Sequence, residues 1–196
     1  HLLPMEMLDP RQKTQLDMIL SGWLKDQITA VYALIGRSDD LRVLYDIRNS
    51  LGVIEKRVNA QQRKKLGKMN IVCGHRYLYH RKIFKVKYQR IRFTLFAIWH
   101  DLPCIPPVPG SEVAPRMVWP KGFGREMGYY HYGGYSIRAD MIDKVRWFLR
   151  KKISRYPADI PKEPMSWLGV EKSGWEQILV AMGYRIRDSQ LISFGQ

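Results

Sequence analysis

At 196 residues the chain is long enough to bury a core, and 45% apolar residues with abundant aromatics exclude disorder as its default state. With 33 Lys and Arg against 18 Asp and Glu the formal net charge is +15, more than solubility requires, so an anionic polymer leads the partner classes. Two cysteines, Cys73 and Cys104, build no disulfide framework; together with the lack of any run of roughly eighteen apolar residues, this predicts a cytoplasmic protein with no membrane partner.

Residues 1–8 carry no periodicity. Asp9-Pro10 then predicts a helix start, with Asp as the cap and Pro where its missing amide costs nothing. Leu16, Ile19, Leu20, Trp23, Leu24, Ile28, Val31, Leu34 and Ile35 follow at helical spacing. Ser38-Asp39-Asp40 restarts the pattern with Leu41, Leu44, Ile47, Leu51 and Ile54, so region 1–68 reads as a helical hairpin.

From Lys56 to Arg92 every charged residue is basic. A solvated face normally mixes signs because like charges at neighbouring positions repel, so this run predicts an external counter-charge. Region 69–127 reads as a basic strand–helix unit: a strand over Met69–Tyr79 and a helix over Lys85–His100 with Tyr88, Ile91, Leu95 and Ile98 inward. The proline-rich stretch 102–120 follows as a linker or extended arm. Aromatic rings among basic residues suit single-stranded RNA or DNA, whose bases can stack while its phosphates meet charge. Lys64, Lys65, Arg76, Arg81, Lys82, Lys85 and Arg90 are the candidate phosphate ligands, and Tyr77 and Tyr79 the candidate stackers; most other rings belong to the core.

Region 128–196 holds the most specific local grammar. Tyr129–Tyr135 predicts a hairpin turning at Gly133-Gly134. Asp140 predicts a helix start, Met141, Val145, Phe148, Leu149 and Ile153 its inward stripe, and Pro157 its end. A short helix over Lys162–Leu168 closes at Gly169. Ser173 and Glu176 are spaced as a capping box before Trp175, Ile178, Leu179 and Met182, and Gly183 stops that helix. Tyr184–Phe194 supplies a small β wing, giving a winged-helix-like, helix-turn-helix module. The predicted fold class is α+β, mostly α. The last helix exposes Lys172, Gly174, Glu176 and Gln177, a poor set for reading bases in a major groove.

The phrases GY-x5-YSIRADMIDKV from Gly128 and PMSWLGVEKSGWEQILVAMGYR from Pro164 resemble the C-terminal accessory region of alphaproteobacterial superfamily II helicases, relatives of the mitochondrial degradosome RNA helicase. The resemblance extends to LRVLYDIRNSLGVIEKR from Leu41 and IVCGHRYLYHRKIFKVKYQRIRFTLFAIW from Ile71, covering most of residues 23–187. Where those proteins carry a Pro-Ala-Leu-Leu-Lys-Pro run, this chain reads His80-Arg81-Lys82-Ile83-Phe84-Lys85 and adds charge. The resemblance implies an accessory region that holds a strand for an ATP-dependent motor core lying outside this chain, in cis or in trans.

No phosphate-cradling G-x-x-x-x-G-K-[ST], helicase acidic box, H-E-x-x-H or G-x-S-x-G occurs, so no catalytic residue and no cofactor is expected here; ATP and Mg would come only through the helicase core. Cys73, His75, His100 and Cys104 include C-x-H and H-x3-C spacings, but a buried thiol and surface histidines are the ordinary reading. The competing function from another class is an adaptor whose basic face docks an acidic protein.

Overall fold

Asp9 caps the first helix as its sequence predicts, its Oδ1 accepting from the amides of Arg11 and Gln12, both at 2.8 Å. The computed structural model describes residues 9–33 and 52–194. Helix α1 spans Pro10–Ala33 and leaves Ile19, Leu20 and Trp23 exposed. The second helix of the expected hairpin lies outside the described residues as far as Leu51. Its expected end is corrected: Gly52 has φ 110°, a conformation glycine adopts without cost, and from there the chain enters strand β1 (Val53–Glu55).

β1 joins β2 (Ile71–Cys73) and β3 (Tyr77–His80) in an antiparallel sheet of order β1-β3-β2. The single strand expected over Met69–Tyr79 is therefore a hairpin turning at Gly74-His75-Arg76. Helix α2 (Ala60–Lys68) starts with a capping box: Asn59 accepts from the Gln62 amide at 2.8 Å, and Gln62 accepts from the Asn59 amide at 3.1 Å. Leu66 of α2 packs on Ile71 and Leu78, while Tyr77 and Tyr79 enter a larger cluster with Ile137, Ile142 and Val145. Period-two alternation sends the β3 side chains to opposite faces, and both faces are covered.

A 3-10 turn at Arg81–Phe84 leads to helix α3 (Val86–Trp99), which faces inward with Gln89, Arg92, Phe93 and Phe96. The expected Tyr88, Ile91, Leu95, Ile98 face is corrected, and Ile98 is exposed. What draws the helix round is an aromatic cluster with α4 (Phe123–Met127): the Phe93 and Phe123 rings meet edge-on at 4.6 Å, with Phe96 also edge-on to Phe123. The proline-rich arm supplies β4 (Val113–Pro115) to a second sheet, order β4-β6-β5, with β5 (Tyr129–Tyr132) and β6 (Tyr135–Arg138).

Helix α5 (Ala139–Lys152), β7 (Ala158–Asp159), α6 (Glu163–Leu168), α7 (Lys172–Ala181), β8 (Tyr184–Arg187) and β9 (Gln190–Phe194) complete the chain, the last sheet running β7-β9-β8. Among the described residues there are seven α-helices and three small antiparallel sheets, so the class is α+β. None of these helices is long and apolar enough to cross a membrane. Gly169, at φ 63°, closes α6 as expected. Two cap expectations are corrected. Arg138, not Asp140, is the cap residue of α5, and Asp140 instead accepts the Arg138 guanidinium on both carboxylate oxygens at 2.7 Å. α7 starts at Lys172 with Glu171 as cap residue and no side-chain cap, so Ser173 and Glu176 form no capping box. The helix is set instead by Trp175, whose Nε1 donates to the Pro161 carbonyl at 2.8 Å, and by Gly174, where a Cβ would lie 2.4 Å from the Tyr135 hydroxyl.

One apolar cluster joins Val53, Ile83 and Phe84 to Leu149, Trp175, Ile178 and Leu191, so the core crosses residue 128, the expected start of the C-terminal module. Asn59→Ala should lower stability by about 0.5–2 kcal/mol by stripping a cap, while Ser173→Ala should change it by less than about 0.5 kcal/mol. Denaturant melts of both variants check this; the reverse order would place the working cap on α7.

Candidate nucleic-acid interface

The β2–β3 turn rests on a carboxylate from a helix far away in sequence. The Arg76 amide donates to Asp143 Oδ1 of α5 at 3.2 Å, and the Gly74 amide closes the hairpin on the Tyr77 carbonyl at 2.9 Å. A Cβ at Gly74 would lie 1.7 Å from Asp143 Oδ2, so only glycine lets the turn sit this close. Burial pushes the Asp143 carboxyl up to about 6, against the opposing pull of the Arg76, Tyr77 and His75 amides and of the Arg146 charge.

That clamp fixes His75 and Arg76 at the mouth of a cleft of about 790 Å³. Lys56 and Arg57 reach it from the end of β1, Arg146 from α5, and Ala181–Gly183 from the end of α7. Tyr77, Tyr130 and Tyr132 line its floor: the Tyr77 and Tyr130 rings lie 4.3 Å apart, and the Tyr77 and Tyr132 hydroxyls 3.3 Å apart. Burial raises the Tyr77 and Tyr130 phenols well above their ordinary range, so both stay neutral. A second hollow of about 290 Å³ shares His75, Arg146 and Phe194 and adds Arg150, Tyr156 and Tyr184.

The charge in this cleft is one-sided. Its lining carboxylate, Glu55, is hydrogen-bonded to the Arg76 guanidinium. Among the described residues no carboxylate forms a salt bridge with Arg57, Arg146 or Arg150. Burial holds the His75 imidazole below its ordinary value, and the guanidinium groups of Arg146, Arg150, Arg57 and Arg76 push it lower still. Four guanidinium groups from three parts of the chain therefore act on one imidazole. The α7 C-terminus contributes the opposite sign, but a helix end amounts to only about half a negative charge, too little to neutralise them.

The expected site residues do not gather in one place. Of them, Arg76 and the buried Tyr77 line the cleft. Lys64 and Lys65 are exposed on α2, Arg81, Lys82 and Lys85 on and after the 3-10 turn, and Arg90 on α3. Arg81 lines a separate hollow of about 360 Å³ with Arg63, whose Nη1 donates to the Cys73 carbonyl at 3.0 Å. Tyr77 and Tyr79 are 1% and 6% exposed, so neither presents a ring face to a base, and their assignment as stackers is corrected. Arg92, at the end of the basic run, is fully buried; its Nη2 donates to the Glu126 carbonyl at 2.8 Å, and burial lowers it to about 10.

Residues that reading the run alone does not single out complete the cleft, Arg57, His75 and Arg146, with Arg150 in the adjoining hollow. Asp143, Arg146 and Arg150 at three- and four-residue spacing place one acid and two bases on one side of a helix, which is the signal available in sequence. Compared with protein-family models, curated proteins and solved structures, the chain matches none.

Asp143 gives the cleft a pH signature. Because its folded value is raised, its contribution to stability is complete below the ordinary value of 3.8 and is lost as pH rises through about 6. Asp143→Asn keeps an acceptor for the Arg76 amide without the buried charge. Above pH 6 the variant should therefore gain on the parent, relative to their difference at pH 3.5, by on the order of 2 kcal/mol. Parallel melts across that range check it; a parent curve that stays parallel to the variant's would show that Asp143 titrates normally.

Proposed function

We propose that this chain is a nucleic-acid-binding accessory region that grips a polynucleotide backbone in the cleft, serving a superfamily II helicase core outside it. The carrying observation is the convergence of Arg57, Arg76 and Arg146 with His75 around a hollow whose lining carboxylate, Glu55, is already hydrogen-bonded to Arg76, with Arg150 in the hollow that adjoins it. Guanidinium forks match phosphate oxygens, and a phosphodiester chain supplies one negative charge per nucleotide, which a clustered set of cations needs. ATP and Mg belong to the motor core, where the chemistry of this reading takes place.

Element order supports the winged-helix part of the reading. α5, β7, α6, α7, β8 and β9 follow one another as helix, strand, helix, helix, strand, strand, and the strand pairing β7-β9-β8 puts the last strand in the middle. In that arrangement α7 would be the recognition helix. Its Gln177, however, lies under the β5–β6 turn, where a Cβ at Gly133 would be 2.9 Å from the Gln177 Cβ. The helix is thus packed within the protein, its Lys172 pairing with Glu176 at 3.8 Å, and the grip on nucleic acid falls to the cleft. Backbone contacts of this kind position a strand without reading its sequence.

Binding of a labelled homopolymeric strand should weaken linearly on a log–log plot of affinity against salt, with a slope of roughly −0.7 per phosphate contacted. Arg57, Arg76, Arg146 and Arg150 replaced together by Gln should flatten that slope by about 2–3. The same change at Lys64, Lys65, Arg81 and Lys82, spread over other surfaces, should have the smaller effect. Parent-like binding by the cleft variant would overturn the proposal, and binding confined to an acidic polypeptide would favour the adaptor.

A further inference from the structure

A cleft that held only phosphates would need charge and hydrogen-bond donors, yet this one also keeps aromatic rings in water. Phe194 borders both hollows and is 46% exposed; Tyr156, in the second hollow beside Arg150, is 41% exposed. Tyr184 is buried and meets Phe194 at 4.8 Å with the rings inclined at 65°, so it braces Phe194 while leaving much of that ring uncovered. Burying an aromatic side chain is among the larger favourable contributions a residue makes, so two uncovered rings forgo stabilisation the fold has elsewhere collected. They stand on the same wall as Arg146, Arg150 and His75. The rings first expected to stack, Tyr77 and Tyr79, lie inside the protein.

We propose that Phe194 and Tyr156 are a base-stacking platform, so that the cleft takes an unpaired strand with bases on these rings and phosphates against the arginines. In a duplex each base is already stacked on both faces within the helix, and these rings would find nothing to cover. Charge alone does not distinguish paired from unpaired nucleic acid; exposed rings do. The inference rests on the nucleic-acid reading of the same cleft and adds the class of ligand.

The test uses the full chain and three fluorescent probes of equal phosphate count: an oligothymidylate, the same strand with abasic sugars, and a blunt duplex. The parent should bind the oligothymidylate most tightly. Tyr156→Ala, and Phe194→Leu, which keeps apolar contact with Tyr184, should each weaken oligothymidylate binding by about fivefold to a hundredfold. Neither should change the salt slope, since stacking displaces no ions, nor binding of the abasic strand. Equal binding of abasic and base-bearing strands by the parent, a measurement that needs no variant, would overturn the platform. So would ring variants that bind oligothymidylate as the parent does while the arginine variant loses it, and that outcome would leave the nucleic-acid reading intact. Loss of nothing in the arginine variant would instead overturn the nucleic-acid reading and the platform with it.

Discussion

The contact between Asp143 and the backbone of the β2–β3 turn ties the N-terminal sheet to helix α5 and holds His75 and Arg76 at the cleft. A buried carboxylate is an expensive way to hold a turn, since an ionised group leaves water to accept a few amide bonds. An apolar residue on α5 would pack the space without that cost, but it would leave the turn's amides without an acceptor. The carboxylate also lies within the field of Arg146, as Glu55 pairs with Arg76, so each acid moderates the repulsion between the bases around it.

Tyrosines reinforce the same junction. Tyr77 comes from one sheet and Tyr130 and Tyr132 from another, and their rings and hydroxyls meet under the cleft. The Arg146 guanidinium stands over the Tyr132 ring at 5.9 Å, within reach of its negative face. The floor is thus apolar and hydrogen-bonded where it faces the core and polarisable where it faces the bases of the protein, which lets cations gather over it.

Elements whose partners are local were legible in the sequence. The Asp9 cap, the α6 end at Gly169, the Gly133-Gly134 turn and the extent of α3 follow from residues a few positions apart. Some failures are local, the caps assigned to Asp140 and Ser173 and the missed turn at Gly74-His75-Arg76, but those that moved the site are tertiary. Tyr77 and Tyr79 sit between Arg76 and His80 in a basic stretch, and what buries them is packing by α5, by Phe84 and by Tyr130 and Tyr132, all but Phe84 distant in sequence. Arg92 reads as one more cation in a basic run until α4 supplies a carbonyl inside the core. The basic run itself is a continuous stretch of sequence that strands and helices distribute over several surfaces, whereas the cleft draws Arg57 and Arg146 together across almost ninety residues. Charge counting found the class of partner to propose; it had no means of finding the place.

The β8–β9 hairpin links two distant points mechanically. Tyr184 pairs with Phe194 at the cleft end and Arg187 with Gln190 at the other, where Asp188 and Ser189 form the two-residue turn with φ 49° and 60°. Four residues at about 3.3 Å each separate the turn from the cleft wall, roughly 13 Å. β7 pairs β9 at Leu191 and Gln190, near the tip, and a register shift between Arg185 and Ile186 separates that braced end from Phe194. A dye carried at Ser189 would therefore stand clear of the cleft on the braced end of the wing, an attachment point that leaves the walls unobstructed.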